Sequence, residues 1–311
     1  MIVVAGESLI DLLVRPDGSV SATPGGGPFN AARTLGRLGV PVAFLGRLST
    51  DAFGRILRSR LSNDRVDVGL AATTEDPTLL AVAEVGGDGA ATYRFHTVGT
   101  AAVGLTEADL PGGALPERTV GLHVGSLGLV LEPMASTIAA IAATAPADVL
   151  VMLDPNCRPA AIADPAAYRS RLAGLMPRVD AVKASTDDLA WLDPRSDPVD
   201  AARAIVQAGP ALVLVTDGRG PVRIVTKDEV VTIDVPEVAV VDTIGAGDAF
   251  GAAFLAAWWR AGLGRHDLGD LDALTAATRF ATVVAARTVA RAGAEPPTLE
   301  DLSAIDGAPD E

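Results

Sequence analysis

The stretch VVDTIGAGDAFGAAFLAAWW, residues 240–259, joins a turn of small residues to a carboxylate and an apolar segment. Phe250 and Phe254 follow with the spacing of one helix face, so the sequence predicts a helix that begins at Gly245–Gly247. The first N–H groups of a helix lack partners within it, and the helix dipole is positive there. The turn is therefore predicted to hold an anion such as phosphate, with Asp248 beside it. Ordinary helix capping is the alternative interpretation.

Strand-like and helical segments alternate over most of the 311 residues. This order predicts a doubly wound α/β fold, with a mostly parallel sheet and helices on both of its faces. The apolar, β-branched segment 228–241 is also predicted to be a strand. Ligands of such folds bind beyond the carboxyl ends of the strands. Polar residues are predicted to lie along that rim at Asp154-Pro155-Asn156, Lys183-Ala184-Ser185, Thr216-Asp217-Gly218 and Asp242-Thr243.

Two segments, residues 12–23 and 77–98, interrupt the alternation and contain Gly/Asp turns typical of β-hairpins. Strands that do not alternate with helices suit a small sheet standing over the rim as a lid. One face of this lid is predicted to pair two copies of the chain into a homodimer. No linker separates independent domains, so residues 1–311 are predicted to form one domain.

Composition narrows the classes of partner. The formal net charge of −14 argues against nucleic acid or an anionic membrane surface, since both require clustered Lys and Arg. A single cysteine, Cys157, excludes an internal disulfide and fits a reducing compartment. No apolar run approaches the roughly 18–20 residues of a membrane span, and the N-terminus lacks a basic lead. The expected localisation is cytoplasmic.

Four stretches together resemble the PfkB family of carbohydrate kinases, which includes the ribokinase-like and fructokinase-like sugar kinases. PGGGPFNAARTLGRLGVPVAFLGRLSTDAFG, residues 24–54, resembles the N-terminal signature of the family, and DTIGAGDAFGAAFL, residues 242–255, resembles its C-terminal signature. GESLIDLLV (6–14) and DPNCR (154–158) look most like the fructokinase and 2-keto-3-deoxygluconate kinase branches. The resemblance covers essentially the whole chain. It implies ATP-dependent phosphorylation of a primary hydroxyl on a small sugar, with Mg²⁺ and possibly K⁺ as cofactors.

The resemblance also implies roles for individual residues. Asp248 corresponds to the catalytic base, and an anion hole for the γ-phosphate consists of Gly245, Ala246 and Gly247. Residues implied to bind the sugar are Asp11, Gly26, Gly27, Asn30 and Arg158. Residues implied to bind the nucleotide are Lys183, Ser185, Thr216, Gly218 and Gly220. Residues implied at metal sites are Asp188, acting on Mg²⁺ through water, and Asp242 with the carbonyl of Ile244, for a monovalent cation. The Ser185-x-x-Asp188 pattern is equally a helix capping pattern.

The sequence departs from the family at three places. Gly27-Pro28-Phe29 replaces the Ala-Pro-Ala usual in fructokinases, and Pro297 falls near a serine that helps bind potassium in ribokinase-like members. Arg94 stands before an aromatic residue, whereas the corresponding arginine of keto-acid kinases usually stands after it. This difference weakens an assignment to the keto-acid kinases.

Several functions stay open on the sequence alone. Fructose or a similar ketose is the predicted substrate. 2-Keto-3-deoxygluconate is second, because Arg158 could meet a carboxylate, and a nucleoside is third. A non-catalytic sugar- or nucleotide-binding regulator is an alternative of another class. An NAD-dependent oxidoreductase is disfavoured, because no Gly-x-Gly-x-x-Gly follows the first strand.

Overall fold

The computed structural model describes residues 1–85 and 91–303. Part of the predicted hairpin 77–98 and the last eight residues therefore lie outside the described residues. The strands are β1 Ile2–Ala5, β2 Leu9–Val14, β3 Val20–Gly25, β4 Val42–Ser49, β5 Val66–Asp67, β6 Ala71–Thr74, β7 Leu80–Val85, β8 Ala91–His96, β9 Gly121–Gly125, β10 Leu150–Asp154, β11 Ala181–Ser185, β12 Leu212–Asp217, β13 Gly220–Thr226 and β14 Val230–Ile233. The α-helices are α1 Gly27–Arg37, α2 Ala52–Asn63, α3 Met134–Ala143, α4 Pro165–Leu175, α5 Thr186–Leu192, α6 Pro198–Gln207, α7 Ala246–Arg260, α8 Leu271–Val289 and α9 Leu299–Ser303.

Among the described residues, ten strands form one large sheet in the order β14-β13-β12-β11-β10-β9-β1-β4-β5, with β6 paired to β4. Pairing is parallel from β12 through to β5, and only β13 and β14 run antiparallel, at one edge. The predicted doubly wound, mostly parallel sheet is confirmed. Strands β10, β11 and β12 are neighbours, so their polar carboxyl ends lie side by side on one rim as predicted.

Helices cover both faces of the large sheet, because alternate side chains of each strand point to opposite faces. On one face, Val4 belongs to a core that includes Phe29 of α1 and Phe254 of α7. On the other face, Val3 belongs to a core that includes Ile138 of α3. Each such buried side chain contributes roughly 1.5–3 kcal/mol of hydrophobic stabilisation. The strand ends are thereby held rigidly, with α1 and α7 packed on the face that carries the site.

The predicted lid is a separate sheet of four strands in the order β3-β2-β7-β8. Each predicted hairpin is present, and the two meet through a parallel pairing of β2 with β7 that local sequence patterns do not reveal. In this register Asp11 lies opposite Ala81, and Leu12 lies opposite Val82. Consecutive residues of a strand face opposite ways, so Asp11 and Leu12 lie on different faces of the lid.

The strand predicted for residues 228–241 is wrong over most of its length. Only Val230–Ile233 pair with β13, and residues 234–241 form no regular structure. Pro236 has no N–H to donate to a sheet ladder. Beyond it, the N–H groups of Val241 and Asp242 both donate to the carbonyl of Val289, at 2.8 and 3.1 Å. The chain leaves the sheet here to reach the start of α7.

Among residues 1–85 and 91–303, no helix is long and apolar enough to cross a membrane.

Candidate active site

Helix α7 begins at the turn of small residues, as predicted. Its N-cap, Gly245, has a φ of 76°, a left-handed conformation that residues with a Cβ adopt only with strain. No side chain caps the helix within the described part of the chain, so the positive end of its dipole is open to a ligand. Asp248 is the third residue of the helix and is 8% exposed. The turn therefore presents backbone donors beside a buried carboxylate.

The Asp248 carboxylate is held by two amides from distant parts of the chain. Nδ2 of Asn30 donates to its Oδ2 at 2.9 Å, and Nδ2 of Asn156 donates to its Oδ1 at 3.1 Å. Burial raises the pKa of Asp248, while the Asn30 hydrogen bond and the charges of Lys183 and Arg158 partly offset that effect. A carboxyl whose pKa is raised and whose orientation is fixed is suited to accept a proton.

Asn30 is delivered by the first turns of α1, and a buried carboxyl fixes where this helix starts. Oε1 of Glu7 accepts from the N–H of Gly27 at 3.2 Å, and its Oε2 accepts from the N–H of Gly128 at 2.9 Å. Gly26 is the N-cap, with a φ of 107°, and a Cβ there would lie 2.9 Å from the carbonyl of Glu7. Burial raises the pKa of Glu7 to about 7. The sequence analysis did not identify Glu7; its signal was an acidic residue two positions after the end of the apolar strand β1.

Asn156 has a role that the sequence analysis did not assign. Its backbone is left-handed, with a φ of 39°, a conformation that Asn tolerates better than most residues. A Cβ on Gly27 would lie 2.9 Å from Nδ2 of Asn156. The structure thus places Gly27, a predicted sugar contact, against the amide that holds Asp248. The Gly27-Pro28-Phe29 sequence leaves room for this amide.

Asp11 lies in the lid, on strand β2. Its Oδ2 lies so close to Gly25 that a Cβ at that glycine could not fit. Burial raises the pKa of Asp11 to about 6, with the charge of Arg158 opposing and that of Asp248 adding to the shift. The charge of Arg158 also lowers the pKa of Asp248, so the same guanidinium acts on both carboxyl groups. Arg158 itself is exposed, and its guanidinium donates to the carbonyls of Asn156 and Cys157.

Lys183 lies on β11 and reaches the predicted anion hole, and its predicted role in nucleotide binding stays a prediction. Its Nζ donates to Oδ2 of Asp154 at 3.0 Å, and both side chains are 4% exposed. A Cβ on Gly247 would lie 2.7 Å from this Nζ, so the ammonium borders the first turn of α7. Burial lowers the pKa of Lys183, but the carboxylates of Asp154, Asp188 and Asp248 outweigh burial and raise it. The site therefore keeps a buried positive charge next to its backbone donors.

Ser185 and Asp188 form the capping box that the sequence allowed as an alternative. Oγ of Ser185 accepts from the N–H of Asp188 at 3.0 Å, and Oδ2 of Asp188 accepts from the N–H of Ser185 at 2.9 Å. The other oxygen, Oδ1, accepts from the N–H of Cys157 at 2.7 Å. The carboxylate thus ties α5 to the loop that carries Asn156. Its action on Mg²⁺ stays a prediction.

The predicted nucleotide turn follows strand β12. Thr216 pairs in register with Ser185 on β11, and Gly218 and Gly220 form the turn into β13. Gly218 has a φ of 54°, which requires a residue that tolerates the left-handed conformation. Oδ1 of Asp217 accepts from Oγ1 of Thr186 at 3.0 Å, which links this turn to α5. Four of the five predicted nucleotide residues are therefore adjacent on the rim, and Lys183 precedes Ser185 by two residues on β11.

Asp242 organises the loop before the anion hole. Its Oδ1 accepts from the N–H of Ile244 at 3.0 Å, and its Oδ2 accepts from the N–H of Gly293 at 2.9 Å. No group of three or more His, Cys, Asp or Glu residues within the described ranges is placed to hold a metal ion.

Known proteins resemble this chain in sequence and in fold. The model of the pfkB family carbohydrate kinases matches residues 1–301. A fructokinase of Rhizobium leguminosarum bv. trifolii is 38% identical over 260 residues, which are 82% of this chain and 79% of that protein. A fructokinase of Xylella fastidiosa, solved with bound ATP, has a TM-score of 0.86 at 28% identity and covers 98% of both chains. An aminoimidazole riboside kinase of Salmonella enterica has a TM-score of 0.83 at 26% identity and covers 99% of both chains.

The fold and the site therefore define a phosphotransferase with an alcohol acceptor. The chain belongs to the pfkB family of carbohydrate kinases.

Proposed function

We propose that this chain transfers the γ-phosphoryl group of ATP to a primary hydroxyl of fructose or a similar small ketose. The observation that carries the proposal is the Asp248 carboxylate, held by two amides at the open N-terminus of α7. The names of the relatives support the choice of sugar. A phosphoryl-transfer site needs positioning and charge stabilisation more than covalent chemistry, and this arrangement can supply both.

The chemical step uses few groups. Asp248 accepts the proton of the sugar hydroxyl as its oxygen attacks the γ-phosphorus, and the bond from that phosphorus to the bridging oxygen of ADP breaks. In this proposal the backbone N–H groups of Gly245, Ala246 and Gly247 bind the charge that moves with the phosphoryl group, the N–H of Ala246 giving up a long 3.4 Å bond to the carbonyl of Thr243. The ammonium of Lys183 adds a positive charge at the same place, in a dry environment where it acts strongly. ADP and the sugar phosphate then leave.

The acceptor pocket lies between the lid and the rim. Asp11 and Asn30 supply oxygen acceptors for sugar hydroxyls, since Oδ1 of Asn30 is buried and has no partner in the described part of the chain. Arg158 supplies a donor at the exposed side of the pocket, and Gly26 brings backbone close to it. A neutral polyol matches this set, because Asp11 and Asp248 both oppose a further negative charge.

The nucleotide occupies the other side of the rim. Ser185, Thr216, Gly218 and Gly220 lie together there, with Gly218 and Gly220 leaving the turn open to a flat base. Mg²⁺, when bound, neutralises phosphate charge, with Asp188 within reach through water. A monovalent cation at the carbonyl of Ile244, beside Asp242, would support the anion hole from behind.

A second acceptor class is a riboside, favoured by the TM-score of 0.83 to a riboside kinase. A keto-acid such as 2-keto-3-deoxygluconate would need Arg158 to outweigh both carboxylates. A coupled assay of ADP release, run with ketoses, pentoses, keto-acids and ribosides, separates these acceptors. The proposal requires the highest kcat/KM with a ketose. A preference for a riboside or keto-acid would reject it, and the absence of turnover with every sugar would reject the kinase assignment.

One face of the lid is apolar and is the proposed contact between two copies of the chain. The lid face opposite Asp11 carries the apolar side chains Leu12, Leu80 and Val82, which line a cavity of about 610 Å³. This apolar face supports a homodimer that forms through the lid. The net charge of −14 supports a protein without nucleic-acid or membrane partners, and we propose a cytoplasmic localisation. Sedimentation equilibrium of the wild type and of Val82→Asp tests the pairing, because a charge on this face should yield monomers.

A further inference from the structure

Three consecutive residues after α8 link separate parts of the site. Gly293 donates its N–H to Asp242, and a Cβ on it would lie 3.8 Å from Cγ2 of Thr23 in the lid. The next residue, Ala294, is 3% exposed. It packs beside the predicted anion hole, since a Cβ on Gly245 would lie 2.6 Å from the Cβ of Ala294. The segment 293–295 is thus the wall against which the left-handed turn at Gly245 rests.

This wall is held by the guanidinium of Arg33, which is 2% exposed. Its NH1 donates to the carbonyl of Ala294 at 2.9 Å, and its NH2 donates to both carboxylate oxygens of Glu295, at 3.1 and 3.0 Å. Its Nε donates to Asp64 at the end of α2 at 2.6 Å, and the group lies over the ring of Phe29 at 5.6 Å. The planar fork of arginine satisfies these directions at once, which a lysine ammonium could not do.

We propose that Arg33 is a positioning residue for phosphoryl transfer, which fixes the anion hole by holding Ala294 against Gly245. The inference rests on the proposed kinase function and adds a residue that touches neither sugar nor nucleotide. Asn30 and Arg33 lie one turn apart on α1. Helix α1 therefore positions both the Asn30 amide, which holds Asp248, and the segment 293–295, which supports the turn at Gly245. The proposed base and the proposed phosphate site are thus fixed by the same helix.

The chain supplies a matched control in Arg37. Its NH1 contacts the same two carboxylates, Asp64 at 3.1 Å and Glu295 at 3.5 Å, but among the hydrogen bonds of the described residues none joins Arg37 to the Ala294 carbonyl. Removing Arg37 therefore weakens the ion-pair cluster and leaves the wall in place. Removing Arg33 weakens the cluster and releases the wall.

The test compares Arg33→Met with Arg37→Met in three measurements: kcat with ATP and fructose, the thermal midpoint, and a ratio of dissociation constants. The ratio compares ADP with the ATP analogue whose β- and γ-phosphates are bridged by nitrogen, because only the analogue reaches the anion hole. Misplacing reacting groups by about 1 Å can lower a rate by about 10²-fold, so Arg33→Met should lower kcat by 10- to 100-fold. It should also weaken the analogue relative to ADP, whereas Arg37→Met should change neither.

The proposal is overturned if both variants lose thermal stability while kcat and the ratio stay at wild-type values. If Arg33→Met does not fold, Ala294→Gly removes the methyl beside Gly245 and must show the same loss of kcat and of the ratio. An unchanged Ala294→Gly also overturns the proposal. Failure of the kinase function itself is distinct, because the wild type would then transfer no phosphate to any sugar.

Discussion

The Nζ atom of Lys183 lies 3.0 Å from Oδ2 of Asp154, and this buried pair adjoins the first turn of α7. Removing one member of a buried ion pair strands the other and costs about 3–5 kcal/mol. The pair is therefore expected to stabilise the fold and to place a positive charge at the predicted anion hole. Single and double variants can measure these two effects separately.

Lys183→Met should lower both stability and turnover. Loss of one stabilising donor at a developing negative charge typically costs about 10²–10³ in kcat. The double variant Lys183→Met/Asp154→Leu, which removes both charges, should recover much of the thermal midpoint but not the turnover. Recovery of kcat together with stability would show that Lys183 is only structural.

Asp248→Asn should lower kcat by about 10²–10⁴, the usual contribution of general-base catalysis. The amide keeps the size of the side chain but cannot accept the proton of the sugar hydroxyl. Calorimetry should find ATP and fructose binding close to wild type, since neither depends on proton transfer. Near wild-type turnover would reduce the GAGD turn to an ordinary helix start.

Asn156→Gly should shift the pH dependence of kcat to higher pH. Glycine accepts the φ of 39° but removes the hydrogen bond to the charged form of Asp248, and losing such a bond raises the pKa of a carboxyl. Activity needs the deprotonated base, so it is present above this pKa and lost as the pH falls through it. The acidic limb of the profile should therefore begin at higher pH in the variant. An unchanged limb with a changed KM for sugar would assign Asn156 to substrate binding.

Sequence patterns identified the elements whose signals are local. Small residues and apolar periodicity within about 20 residues are enough to predict the GAGD turn, the helix after it and both hairpins. The strand predicted for residues 234–241 is absent, although the segment contains β-branched residues. These residues lie in an irregular segment that leads from β14 to the start of α7. A propensity for strand cannot show whether a partner strand is within reach.

Contacts between residues far apart in the chain were missed. Asn156 meets Asp248 across 92 positions, and Arg33 meets Ala294 across 261 positions. Lys183 was grouped with Ser185, two residues further along β11, and no local pattern shows that its ammonium also borders Gly247 at the start of α7. Such contacts follow from the order of strands in the sheet, which no local pattern encodes.

Glu7→Gln should change how stability depends on pH. Burial raises the pKa of Glu7 to about 7, against an ordinary value of 4.5. Because the folded-state pKa is the higher one, ionisation penalises the folded wild type progressively between these values. The free energy of unfolding of the variant, relative to wild type, should therefore rise by about 3 kcal/mol from pH 4.5 to pH 8, at 1.36 kcal/mol per pKa unit. Denaturant titrations at both pH values measure it. A constant difference would show that Glu7 ionises normally. The lost hydrogen bond to Gly27 or Gly128 is independent of pH and does not affect the comparison.

Gly247→Ala tests the anion hole with the smallest possible change. A Cβ at this position would lie 2.7 Å from Nζ of Lys183, the far end of a long side chain, so the ammonium should shift away from the turn while it stays paired with Asp154 and the fold stays intact. We expect kcat to fall about 10-fold or more, because displaced charge no longer faces the phosphoryl group, with the thermal midpoint nearly unchanged. Gly251→Ala is the matched control on the same helix, since its Cβ would meet Cε of Met152 at an ordinary 3.5 Å. That variant should keep both activity and stability. Equal activity of the two variants would mean that Lys183 does not act at the anion hole, and a common loss of stability would mean that α7 tolerates no added methyl on this side.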